Sequence, residues 1–427
     1  MIRGADSPLY AGSERRREGD SAVNTSTVPI GIAILGSTGS VGRQTLDVIE
    51  HHPDRFRVVA LAAGSNAEAL AEQARRYRPD LVALDGISSP VALHAGQRML
   101  SGTDGLIAVA THPDADIVVI ASSGHAAIEP TVRAIAARKT IALANKETIV
   151  CAGELIMPLA RQHGVEIRPV DSEHSALWQS LGRSPVAEVD RLILTASGGP
   201  FRETTLAALA NVTIAETLAH PTWSMGGKIT VDSASLMNKG LEIIEARWLF
   251  DIPYDRIDVV IHPESIIHSL VEFRDGSQIA QLGLPDMRLP IQYALTYPEH
   301  APSPCRRLSL ADIGTLRFFT PDEQRFPSLA LARQAAEAGA TFPTVLSAAD
   351  EIAVASFLTG QLRFMEISEI AARVLDRHQP DQPLSFESIA AADRWARQET
   401  VTMINDLGSR RSATPPSAAP ASGRTPT

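Results

Sequence analysis

Between residues 30 and 170, short continuous apolar runs alternate with stretches of helical periodicity, and this alternation restricts the fold more than any other feature. Residues 30–35, 57–63, 81–84, 116–121, 140–144 and 165–170 read as strands. Residues 42–51, 67–77 and 131–138 read as helices between them. Strands that are apolar on both faces and separated by helices form a parallel sheet covered on both sides. An N-terminal doubly wound, Rossmann-type α/β domain is therefore expected over 30–170.

Beyond it the pattern changes. Segments 191–195 and 257–261 read as strands, and 269–273 pairs with 278–282 across Asp275-Gly276 as a hairpin, which suits an antiparallel sheet edge. A central α/β domain over 171–298 with a dimerisation edge is expected. A Pro-interrupted linker follows over 299–320, then a helical C-terminal domain over 321–400. Residues 1–29 and 408–427 are polar or Pro/Ala/Ser/Thr-rich and are expected to be disordered.

The formal charge of −10 speaks against a general nucleic-acid partner. No apolar run approaches the roughly 18 residues of a membrane span, and the N-terminal stretch has no apolar core like a signal peptide's. Two cysteines, Cys151 and Cys305, make neither a disulfide framework nor a thiolate zinc site. A cytoplasmic setting is expected.

The first apolar run enters Gly36-Ser37-Thr38-Gly39-Ser40-Val41-Gly42 and then a helix. Glycines in this context let the backbone turn and approach a pyrophosphate at a helix N-terminus. The second strand ends in Ala63-Gly64-Ser65-Asn66, without the acid that binds an NAD ribose, so NADPH is the expected cofactor.

Asp171-Ser172-Glu173 emerges from the carboxyl end of a strand, where two carboxylates can share a hard cation; an N-cap with a dipole-complementing Glu is the alternative. Residues 238–249 read as an amphipathic helix with Leu241, Ile244 and Trp248 on one stripe. Glu242 can add a third oxygen there, with Asn238 and Lys239 ready for a phosphate, or Lys239 and Glu242 can be a solvated pair. Ala196-Ser197-Gly198-Gly199-Pro200 suits an anion nest, and Asp232-Ser233-Ala234-Ser235 offers hydroxyls. Asn145-Lys146-Glu147 sits at another strand end. His220 to Lys228, with Trp223 and paired glycines, reads as a lid, or else as a buried His and a core Trp. These residues suggest metal-assisted reduction of a phosphorylated carbonyl compound by NADPH. They leave open another NADP-dependent oxidoreductase, such as a semialdehyde or homoserine dehydrogenase, and a catalytically dead NADPH sensor.

Taken in order, GSTGSVG (36–42), ANKE (144–147), DSEH (171–174), ASGGPF (196–201), HPTWSMG (220–226) and DSASLMNKGLE (232–242) resemble the 1-deoxy-D-xylulose 5-phosphate reductoisomerases over about residues 30–400. The resemblance implies rearrangement of that substrate by retro-aldol and aldol steps. Reduction by NADPH to 2-C-methyl-D-erythritol 4-phosphate follows, on the methylerythritol phosphate route to isoprenoids. It implies NADPH contacts at Thr38, Gly39, Ser40, Val41, Gly64, Ser65, Asn66, Asn145, Glu147 and Gly226. Asp171, Glu173 and Glu242 are implied as ligands of Mg²⁺, Mn²⁺ or Co²⁺. Lys146 and Ser172 are implied at the substrate's carbon backbone, with Ser197, His220, Ser233, Asn238 and Lys239 at its phosphate, Trp223 as its cover, and Glu173 and Glu242 also among the substrate-binding residues. Lys146, Asp171, Glu173, His220 and Glu242 are the implied catalytic set. The resemblance further implies a homodimer and inhibition by fosmidomycin. The chain departs from the family at Ser65, where some members carry Lys or Arg, and at Ser347 and Asp350, where Asn is more usual.

Overall fold

A computed structural model describes residues 28–86, 94, 96–223, 225–380 and 383–413. Seven parallel strands form the first sheet: β1 (Ile30–Leu35), β2 (Phe56–Ala63), β3 (Leu81–Leu84), β4 (Arg98–Ser101), β5 (Ile117–Ile120), β6 (Thr140–Leu143) and β7 (Ile167–Pro169). Their order is β4-β3-β2-β1-β5-β6-β7, so the chain winds outward in both directions from β1 and β5. The doubly wound α/β sheet expected from the apolar runs is present. β4 was not anticipated: Arg-Met-Leu-Ser is polar and half exposed, as an edge strand tolerates.

The glycine turn after β1 is shaped by contact. Gly36 has φ +83°, and a Cβ on Gly42 would lie 2.2 Å from the Gly36 carbonyl oxygen. The helix Ser40–His51 therefore leaves the sheet at a distance only hydrogen allows, with its N-terminus at the switch between β1 and β5.

The second sheet has the order β11-β10-β8-β9, from β8 (Val189–Ala196), β9 (Ile257–Ile261), β10 (Ile267–Phe273) and β11 (Gln278–Leu282). β10 and β11 form the expected hairpin, with Leu270 opposite Ala280 and Glu272 opposite Gln278. Asp275 accepts hydrogen bonds from the Ser277 amide and hydroxyl and closes the turn. β11 is a sheet edge that exposes Ile279 and Leu282.

Helices Ser328–Ala338, Phe342–Leu358, Phe364–Arg377 and Phe386–Ala413 build the C-terminal part. The last of these runs past the expected end at 400 and through the start of the expected tail at 408; residues 1–27 and 414–427 lie outside the described residues. The stretch expected as a linker, 299–320, holds one helical turn, Leu310–Ile313, and Phe319 bridges back to Ile261.

The helix Met237–Phe250 carries the largest departure from expectation. It is an interior helix, packed against the helices Lys146–His163 and Ser328–Ala338. Leu241 and Ile244 are buried as expected, yet so are Lys239, Glu242 and Glu245. The approach is close enough to require glycine on both sides. A Cβ on Gly153 would lie 2.5 Å from the Trp248 ring, and one on Gly240 would lie 2.4 Å from the Ala332 Cβ. Replacing Gly153 by Ala is expected to cost about 1–3 kcal/mol by overpacking, lowering the melting midpoint, and Trp248→Leu in the same chain should recover part of it. Coincident melting curves for G153A and wild type would show that these helices separate without cost.

Candidate active site

The loops at the carboxyl ends of β1, β6 and β7 meet the second sheet across a cavity of about 500 Å³. Ser40 and Val41, from the helix that follows β1, form one side. Lys146, Asp171, Ser172 and Glu173 follow β6 and β7, and Asn238, Lys239 and Glu242 come from the interior helix. Ser197, Trp223, Gly226 and Ser233 complete the wall, so most of the expected substrate and metal residues share one space. Gly64, Ser65 and Asn66 are exposed at the end of β2 and, with Thr38, Gly39, Asn145, Glu147 and His220, do not line it.

Three carboxylates converge: Asp171, Glu173 and Glu242 each bring an oxygen within 4.8 Å of the others. Two ammonium groups hold them together. Lys146 Nζ lies 3.0 Å from Asp171 Oδ2 and 3.3 Å from Glu242 Oε1, and donates to Asn238 Oδ1 at 2.6 Å. Lys239 Nζ bridges Glu173 Oε1, at 3.0 Å, and Glu242 Oε2. The solvated-pair alternative for Lys239 and Glu242 is thereby excluded, because both side chains are buried in this network.

Burial and the charge of Glu173 push the Glu242 carboxyl up to about 7, against the pull of the two lysines. Burial would also raise Asp171, but Lys146 and His174 outweigh it and bring it down to about 2. Glu173 is likewise lowered, with Lys239 overriding burial. Three oxygens of this kind, with ammonium groups only partly offsetting them, match a hard divalent cation.

Across the cavity, His220 organises two hydroxyls. Its Nδ1 accepts from the amides of Thr222, at 3.1 Å, and Trp223, at 2.9 Å, so the ring hydrogen sits on Nε2. Nε2 lies 2.9 Å from Ser197 Oγ and 3.1 Å from Ser233 Oγ. With their oxygens taken by this N–H, both hydroxyls are left to donate into the cavity. Burial lowers the His220 pKa, which keeps the ring neutral near pH 7. The backbone beside Ser197 passes through Gly198 at φ +78° and Gly199 at φ +63°, as an anion nest requires.

On the cofactor side, Gly39 caps the helix Ser40–His51 without a side-chain bond, leaving its first N–H groups for a ligand. Asn66 caps the helix Ala67–Tyr77 through Ala69 N. The Asn145 amide is committed to the protein: Oδ1 accepts from Thr148 N, and Nδ2 donates to Ser122 O, Gly124 O and Glu147 Oε2.

Trp223 is half-buried, its ring 6.2 Å edge-on from His268; Ser224, within the expected lid, lies outside the described residues. His268, Asp286, Met287 and Arg288 also line the cavity and were not anticipated. The sequence signal for His268 is a lone imidazole in the apolar strand β10, held at Nε2 3.2 Å from Gly283 O.

Family models described as 1-deoxy-D-xylulose 5-phosphate reductoisomerase and its C-terminal domains match residues 32–153, 167–250 and 282–399. The enzyme of that name from Thermomicrobium roseum is 60% identical over 375 residues, covering 86% of this chain and 96% of the relative. The chain belongs to the 1-deoxy-D-xylulose 5-phosphate reductoisomerase family. The reductoisomerase from Pelotomaculum thermopropionicum is 53% identical over 88% of this chain and 99% of its own. Among solved structures, the reductoisomerase of Zymomonas mobilis in complex with NADPH aligns with a TM-score of 0.83 and 40% identity, covering 89% of this chain and all of that one. A reductoisomerase in complex with NADPH, fosmidomycin and magnesium aligns at 0.82 and 39%, over 88% and 99%.

Asp350, where the resemblance leads one to expect Asn, has a partner. Lys228 Nζ lies 2.6 Å from Asp232 Oδ2 and 2.9 Å from Asp350 Oδ2, with both carboxyls buried. Burial and the charge of Asp350 push Asp232 from 3.8 up to about 8, although Lys228 opposes them. The folded chain thus holds a proton that the unfolded chain releases between these values, and stability falls as pH rises through that window. Asp350→Asn removes the like charge, so its melting temperature should decline less than the wild type's between pH 6 and 9. Parallel pH profiles would show that Asp350 does not raise the Asp232 carboxyl.

Proposed function

We propose that this chain converts 1-deoxy-D-xylulose 5-phosphate to 2-C-methyl-D-erythritol 4-phosphate, with NADPH and Mg²⁺, Mn²⁺ or Co²⁺, on the methylerythritol phosphate route. The observation that carries the reading is the meeting of three carboxylates, two lysines and a serine pair in one cavity beside the turn after β1. NADPH and magnesium complexes of related reductoisomerases support the choice of cofactor and metal.

Asp171, Glu173 and Glu242 hold the cation, which when bound supplies Lewis acidity to the substrate's neighbouring oxygens. Lys146 and Ser172, beside those carboxylates, orient the carbon backbone. Ser197 and Ser233 donate hydroxyl hydrogens to the phosphate, His220 fixes their direction, and Asn238 and Lys239 add an amide and a charge. Trp223 covers the substrate and excludes water. Thr38, Gly39, Ser40 and Val41, at the helix N-terminus, would hold NADPH, which would supply the hydride. Gly64, Ser65, Asn66, Glu147 and Gly226 would complete its contacts, with Asn145 contributing through its backbone. The domains are 30–170, 171–298 and a helical one from 321, the last two joined by 299–320. The edge of β11, with Ile279 and Leu282 exposed, is the surface on which two copies pair. A cytoplasmic enzyme is expected.

The direct test follows NADPH absorbance with 1-deoxy-D-xylulose 5-phosphate, with and without Mn²⁺. Consumption is expected only with metal, and none in either condition would sink the proposal. Glu242→Gln should reduce turnover by at least about a hundredfold, the scale of a lost electrostatic stabiliser, while NADPH binding by fluorescence stays near the wild-type value. Retained turnover would remove Glu242 from the metal.

A further inference from the structure

Behind the three convergent carboxylates lies a second buried group. His174 follows Glu173, Glu245 stands one turn after Glu242, and both side chains are at most 1% exposed. His174 Nε2 is 2.9 Å from the Glu242 carbonyl oxygen and donates to it. Nδ1 lies 3.4 Å from Glu245 Oε2 and 3.8 Å from Asp171 Oδ2. None of these last three atoms has a well-directed hydrogen bond among the described residues, although Lys146 Nζ is 3.0 Å from Asp171 Oδ2. They converge within 4.8 Å.

A second cation and a positioning pair are the two uses such a group allows, and charge decides between them. Asp171, Glu173 and Glu242 face Lys146 and Lys239 with one negative charge in excess. One divalent cation reverses that excess by a single charge, which suits a phosphorylated substrate. A second would crowd Lys146, 3.0 Å from Asp171 Oδ2, adding positive charge in the interior.

We propose that Glu245 is a positioning residue for the metal centre. Acting through His174, it ties the helix that carries Glu173 to the backbone of Glu242, two ligands carried on different elements. The proposal rests on the reading of Asp171, Glu173 and Glu242 as metal ligands. His174 follows Glu173 and holds the Glu242 carbonyl at 2.9 Å, a backbone tether that the lysine contacts do not supply, so loss of its anchor lets the carboxylates drift apart. Partners behind ligands commonly change metal affinity by about 10–100-fold.

The test measures Mn²⁺ binding by electron paramagnetic resonance on the full chain with NADPH bound. Glu245→Gln is expected to weaken Mn²⁺ by about tenfold or more, with NADPH affinity and melting temperature near wild type. Because Glu245 acts through His174, the double variant with His174→Asn should bind no more weakly than H174N alone. Unchanged Mn²⁺ affinity in E245Q, effects that multiply in the double variant, or two Mn²⁺ per wild-type chain and one in E245Q would each overturn the proposal. If E245Q does not fold, H174N carries the test, and wild-type Mn²⁺ affinity there overturns it. Wild-type chain that takes up no Mn²⁺ overturns the ligand reading and this proposal together. Mn²⁺ uptake that is lost in E242Q but unchanged in E245Q overturns this proposal alone.

Discussion

The interior helix Met237–Phe250 brings Lys239, Glu242 and Glu245 into a region from which water is largely excluded, and the site is arranged to make that tolerable. A lone buried carboxylate would give up its charge, since desolvation costs several kcal/mol per ion even after relaxation. Here each ammonium group serves two carboxylates: Lys146 reaches Asp171 and Glu242, and Lys239 reaches Glu173 and Glu242. Glu242 is shared by both lysines and buried deepest, and its carboxyl is the one of the three pushed up. The network therefore remains short of full compensation at the point where its oxygens converge. That residual deficit suits a cation better than a sealed salt-bridge cluster would.

Glycine contacts give this network its precision. Gly153 against Trp248 and Gly240 against Ala332 bring three helices within methyl-excluding distance. The interior helix consequently cannot slide or rotate without collision. Lys146 begins the helix that contains Gly153, so the same contact that fixes Glu242 also fixes the lysine opposite it. Packing and electrostatics are coupled through one backbone, and the site inherits the rigidity of the core.

Much of the fold was legible because its signals are local. Continuous apolar strands, the turn after Ile30–Leu35 and the Asp275-Gly276 hairpin each announce themselves within a dozen residues. β4 was missed because a polar edge strand has no apolar period. The burial of Lys239 and Glu242 was ambiguous because a pair three residues apart on a helix looks the same whether water or protein faces it. Only the positions of Lys146 and Glu173, distant in sequence, resolve that ambiguity. His268, Asp286 and Arg288 were invisible for the same reason: what makes them cavity residues is the meeting of two sheets, which no local pattern encodes. Asp350 marks the opposite case, since its departure from the family pattern was visible while its partner Lys228, 122 residues away, was not.

The two walls of the cavity solve opposite problems with similar economy. On the carboxylate side, charges are concentrated and then incompletely neutralised, so the site attracts a cation. On the facing side, Ser197 and Ser233 both meet the His220 ring. A neutral imidazole, locked by the Thr222 and Trp223 amides, turns two hydroxyls into donors. A protonated ring would lose its Nδ1 acceptor and could no longer hold the Thr222–Trp223 backbone. The low pKa that burial gives His220 thus stabilises both the hydroxyl orientation and the loop that carries Trp223. In the proposed reading an anion would meet directed dipoles and Lys239, whose charge is already shared with two carboxylates. A bound phosphate would compete with those carboxylates for Lys239 while a cation relieved them of it, so occupation of either wall favours occupation of the other.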